Sequence, residues 1–106
     1  MITLSIDTSS NKKIVVGLTI NGKKDLIKQE MDKQKAQVVL PMVDALLRKH
    51  KLKLADIDEI HAETGPGSFT GLRVGVAVAN ALGFALKIPV NGQKVWKEAI
   101  ITPIYS

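Results

Sequence analysis

Ile2, Leu4 and Ile6 alternate with polar residues, as they do in a strand with one face buried, and Asp7-Thr8-Ser9-Ser10-Asn11 then breaks the run with turn formers. The alternation resumes at Ile14, Val16, Leu18 and Ile20. Asn21-Gly22 suits the two positive φ angles of a type I′ turn, so a further strand returns through Asp25 to Glu30. The first third of the chain therefore predicts an antiparallel three-stranded meander. After Asp32, a plausible helix cap, Val38, Val39, Met42, Val43, Leu46 and Leu47 recur every three or four residues and predict a helix with one apolar stripe. Pro41 falls inside that helix and costs it a backbone bond or a straight axis. Arg48-Lys49-His50-Lys51 places positive charge in the last turn, where the helix dipole favours it. A strand over Ile57 to Ala62 follows, then a glycine loop, a second long helix, a short strand and turn over Lys87 to Gly92, and a last helix from Lys94 to Ile101 ending before Pro103. The predicted order is β-β-β-α-β-α-β-α.

The second helix is unlike the first. From Val74 to Leu86 its only strongly polar side chain is Asn80, so it is apolar on every side. A small core cannot engulf such a helix. One face is expected on the chain's own sheet and the other, at least in part, against a partner protein. Gly71, Gly75, Ala79 and Gly83 lie four apart along one ridge where another helix can approach closely. That ridge packs internally, on another subunit, or both. On the interface reading, Gly75→Leu and Ala79→Arg leave a folded domain that no longer associates.

At 106 residues the chain is expected to form one domain, 1–106, with a core that needs no staples. It has no cysteine, hence neither disulfides nor a thiolate metal site, which fits a reducing cytoplasm. Met1 opens directly into a strand rather than a signal peptide, and the longest charge-free run is shorter than a membrane span, so a soluble protein away from membranes is expected. The net charge is +5, most of it lysine scattered from Lys12 to Lys53, which reads as a solvated surface rather than a nucleic-acid footprint. Phe69, Phe84, Trp96 and Tyr105 are far apart and form no stacking platform for bases.

Candidate chemistry is thin. Asp7 ends a strand beside Thr8 and Ser9, where a carboxylate could help hold a metal and phosphates or merely close an Asx turn. The loop Gly65-Pro66-Gly67-Ser68 could cradle a phosphate at a helix start, although neither nucleotide-loop spacing is present and Pro66 removes a donor. The alternative is a tight strand-to-helix turn with Ser68 or Thr70 as cap. His50 and His61 lie on different elements, with no second imidazole one helical turn away, so no metal site is expected.

Ile6-Asp7-Thr8-Ser9, Leu40-Pro41-Met42-Val43 and the gapless run from Gly65 to Gly75, followed by Ala79, Ala81, Leu82, Gly83 and Gly92, resemble the amino-terminal half of the TsaB (YeaZ) family. The resemblance implies an actin-like ATPase half-domain, α/β, with a mixed five-stranded sheet, the second half-domain being absent. Ile101 to Ser106 looks like the family's terminal Pro-x-Tyr segment joined directly to the first half. It further implies a non-catalytic subunit that acts in threonylcarbamoyladenosine modification of tRNA. Such a subunit docks on the catalytic TsaD-type subunit or on a second copy of itself, with a TsaE-type ATPase as a further partner, tRNA contacted only indirectly, and no cofactor of its own. The expected interface comprises Val39, Met42, Val43, Leu46, Phe69, Gly71, Leu72, Gly75, Val76, Ala79 and Gly83. The alternative is a minimal nucleotide-binding domain using Asp7, Thr8, Ser9, Gly65, Gly67 and Ser68. Lys35-Ala36-Gln37 stands where relatives often carry His-Ser, a departure that touches any role of that pair.

Overall fold

A computed structural model describes residues 1–30, 36–67 and 69–103, and of Phe69 only its backbone place. Strands β1 (Ile2–Asp7), β2 (Lys13–Ile20) and β3 (Lys23–Glu30) form the expected meander, and β4 (Glu59–Ala62) pairs parallel with β1, giving the order β3-β2-β1-β4. Asn21 and Gly22 take φ of 51° and 86°, the geometry their sequence asked for. The register Gly17↔Leu26 lets Leu26 lie across the bare glycine on one face of the sheet.

Helices α1 (Ala36–Lys49) and α2 (Phe69–Leu86) cover the other face. Alternation places Leu4, Ile6, Ile14, Val16, Leu18 and Ile60 beneath them, and α1 contributes Val39, Met42, Val43, Leu46 and Leu47 of its stripe to the same core, with Val38 half-buried at the margin. The helix runs on through Pro41, whose missing N–H leaves the carbonyl of Gln37 without its usual donor. Asp32 lies outside the described residues.

Two elements differ from the sequence expectation. The fifth strand shrinks to one residue: Val90 bridges Ile60 in parallel and Gln93 in antiparallel fashion. The chain turns back at once because Asn91 and Gly92 adopt φ of 51° and 78°. The Asn91 side chain then continues the ladder in place of backbone, accepting from the Ala62 N–H at 2.8 Å and donating to the Ala62 carbonyl at 3.0 Å. The predicted helix from Lys94 to Ile101 is a single turn, closed by the Lys97 and Glu98 N–H groups on the Lys94 carbonyl. One turn fixes several dihedrals for few bonds. Beyond it an irregular segment runs along α2, where Asn80 donates to the Ile101 carbonyl at 2.8 Å and accepts its N–H at 3.0 Å. That clamp accounts for the one strongly polar side chain between Val74 and Leu86.

Candidate functional site

Two loops meet at the carboxyl ends of β1 and β4. In the first, Asp7 accepts from the Ser9 N–H at 2.9 Å and from the Ser9 hydroxyl at 2.6 Å through one carboxylate oxygen, an Asx turn. In the second, Glu63 accepts the Gly65 N–H at 3.2 Å, and Gly67 lies so close to Ser9 that a Cβ there would stand 2.7 Å from the Ser9 Cβ. The fold thus brings Asp7, Thr8, Ser9, Gly65 and Gly67 together. Ser68 lies outside the described residues.

Thr8 is a correction to the nucleotide reading. It is only 1% exposed, and its hydroxyl donates to the Gly71 carbonyl and accepts the Gly75 N–H at 3.0 Å. Those bonds splice the end of β1 to the first turns of α2, so this hydroxyl is consumed inside the protein. The Gly65 donor faces the Glu63 carboxylate, a negative group where a phosphate would have to sit. This loop cluster has the chemistry of a structural joint.

The small-residue ridge is a second correction. A Cβ on Gly75 would strike the Thr8 hydroxyl, and one on Gly83 would strike Val90 and stand 3.0 Å from Val95. Gly71, Leu72, Gly75, Val76, Ala79 and Gly83 are all buried, as are Val39, Met42, Val43 and Leu46 of α1. Ten of the residues expected at an interface therefore build the chain's own core. The Phe69 side chain lies outside the described residues.

What α2 leaves to solvent is the opposite side. Ala77, Ala81 and Ala85 are exposed, Phe84 is 64% exposed, and Leu40 of α1 is 48% exposed beside them. Leu40, Ala77, Ala81 and Ala85, with half-buried Val78 and Leu82, line an apolar groove of about 430 Å³ between the two helices. It continues into a recess of about 400 Å³ floored by Val74, Ala77 and Val78 and rimmed by Arg73 and Thr70. Sequence periodicity could not find this surface, because every side of α2 is apolar. Phe84, too large to leave in water without cause, was the available signal. Among the described residues no three His, Asp or Glu side chains converge as metal ligands, and no helix is long and apolar enough to cross a membrane.

Strand order, the parallel β1–β4 pair and the two helices on one face define half of an actin-like ATPase fold. The profile of the family described as "TsaD: tRNA N6-adenosine threonylcarbamoyltransferase" matches residues 26–93. The structure superposes on YeaZ from Pseudomonas aeruginosa with a TM-score of 0.79 at 36% identity, covering 84% of this chain and 41% of that one. The chain belongs to the TsaB (YeaZ) family. It is 33% identical to the tRNA threonylcarbamoyladenosine biosynthesis protein TsaB of Buchnera aphidicola from Schizaphis graminum over 92% of this chain and 50% of the relative. It is 37% identical to TsaB of Haemophilus influenzae over 82% of this chain and 36% of that protein. The chain spans about half the length, or less, of these relatives.

Proposed function

We propose that this chain is a non-catalytic docking subunit in threonylcarbamoyladenosine modification of tRNA. Its partner is the catalytic TsaD-type subunit, and a second copy of the chain is the competing occupant. A TsaE-type ATPase joins the assembly through that partner, in the cytoplasm. The observation that carries the reading is the apolar groove of Leu40, Ala77, Ala81 and Ala85, left uncovered by the described residues, together with exposed Phe84 on the same helix. The role is organisational: the apolar outer side of α2, with Leu40 of α1, presents a preformed face against which a partner's helices are held in their active arrangement. In this reading 1–106 forms one half-domain, and the joint of Asp7, Thr8 and Ser9 with Gly65 and Gly67 serves to fix the pitch of α2, not to bind nucleotide.

Light scattering behind size exclusion, on the chain alone and mixed with the TsaD-type subunit of the same cell, tests this. A stable mixed complex is expected. Ala81→Arg is expected to abolish it while leaving the circular dichroism spectrum unchanged and the unfolding free energy in urea within ~0.5 kcal/mol of the parent. A monomer that ignores the other subunit overturns the proposal. A self-dimer that persists in the mixture gives the groove to a second copy instead.

A further inference from the structure

The lysines that are dispersed along the sequence are gathered by the fold. Strand β3 is the outer edge of the sheet, and residues 12–30 carry five lysines against two acids. Lys24 and Lys28 share the helix-free face with Leu26, whereas Lys23 shares the other face with Asp25 and Ile27. The end of α1 comes to the same corner. Lys49 and His50 both reach the Asp25 carboxylate at 2.8 Å, and Lys51 and Lys53 follow immediately on the exposed connection. Asp25 is thereby paired, and Glu30, the other acid of β3, ends the strand on the face of Lys24 and Lys28. Asp58, Glu59 and Glu63 lie on or beside β4 at the opposite edge, and Glu63 and Asp7 line one recess of the helix-free face together with Lys24.

A surface shaped only for solubility intersperses the two signs. Lysine on an edge strand also guards against strand pairing, which accounts for Lys23, Lys24 and Lys28 but not for Lys49, Lys51 and Lys53 at and beyond the end of α1. We infer that the β3 edge and the end of α1 form a contact surface for the phosphate backbone of a folded RNA. This extends the proposed role in tRNA modification, and rests on it for the choice of RNA over another polyanion. Lys24 and Lys28 stand about 13 Å apart along the strand, so each meets a different phosphate. Exposed Phe84 and half-buried Trp96 both lie elsewhere, which fits backbone recognition of a structured RNA rather than stacking on a single strand. No residue lining the apolar groove belongs to β3 or to the last turn of α1, so a partner protein and RNA can be held at once.

The test is fluorescence anisotropy of a labelled, unmodified tRNA transcript titrated with the chain alone between about 50 and 200 mM salt. Binding is expected to weaken with a log–log slope of about −2 to −3, corresponding to three phosphates. The double variant Lys24→Glu/Lys28→Glu is expected to lower that slope in magnitude by about two and affinity by at least ~10-fold, with an unchanged circular dichroism spectrum. Lys94→Glu/Lys97→Glu, equal in charge change but distant, is expected to retain most of the binding. No association at low salt, or equal losses in the two double variants, overturns the inference. Tighter binding of an oligoglutamate peptide than of tRNA overturns it in favour of an acidic protein. Either failure leaves the groove-docking experiment untouched, since that experiment reads other residues.

Discussion

The two helices of this protein lie side by side on one sheet and are built on opposite plans. Helix α1 has one apolar stripe, buried from Val39 to Leu47 and half-buried at Val38, and turns Asp44, Arg48 and Lys49 to water, with Arg48 and Asp44 paired at 2.9 Å. Helix α2 has no polar side from which its orientation can be read. It buries the small residues Gly75, Ala79 and Gly83 and exposes Ala77, Ala81, Phe84 and Ala85. The difference teaches that small residues along an apolar helix mark the closest approach of backbones, here that of α2 to the end of β1 and to Val90. The opposite side, of Ala77, Ala81, Phe84 and Ala85, stays open to solvent.

The comparison breaks most severely at Gly75. Gly75→Leu forces a side chain into the Thr8 hydroxyl and disturbs its bond to the Gly75 N–H, so a loss of at least ~3 kcal/mol and loss of the folded state by circular dichroism are expected. Ala79→Arg, at a site with no exposure, is expected to behave likewise, whereas Ala81→Arg two residues along stays folded. Folded Gly75→Leu protein would place the ridge outside and reverse the assignment of faces. On α1, Leu46→Ala removes a fully buried side chain from the stripe and is expected to cost about 2–5 kcal/mol in urea unfolding. A smaller effect is expected from Asn80→Ala, about 1–2 kcal/mol, together with faster tryptic cleavage at Lys94 and Lys97 once the Ile101 clamp is gone.

The smallest effect concerns the fastening of α1 to the sheet edge. The Lys49 ammonium, and after it the His50 ring, hold the Asp25 carboxyl below the usual carboxylate range. A depressed carboxylate contributes stability that is present above its unfolded pKa and is lost as pH falls through the folded value. Urea midpoints should therefore show no dependence on this group near neutrality and a slight decline below about pH 4, absent in Asp25→Asn. An equal decline in that variant would assign the acid sensitivity to other carboxylates.

Much of the fold was legible because it rests on local rules. Alternation gave the meander, Asn21-Gly22 its turn, and Asp7 its Asx turn with Ser9, while the spacing from Val39 to Leu47 gave the buried stripe of α1. Resemblance gave the family. The missed features depend on partners far away in the chain. Asn91 replaces a strand by bonding to Ala62, and Asn80 holds as an irregular segment what propensity would coil into a helix. At the loop cluster, sequence named residues that do come together, yet only the structure shows the Thr8 hydroxyl consumed by Gly71 and Gly75.

By itself the sequence determined which residues are apolar, where the chain turns and how α1 faces the core, since each of these follows from near neighbours and a fixed period. Tertiary structure alone decided which side of α2 is buried. An apolar helix can satisfy the hydrophobic effect on any face, and the choice falls to where Thr8 and Val90 leave room only for a glycine. Tertiary structure likewise gathered scattered lysines at one edge of the sheet, because charge in space follows strand order and not chain order.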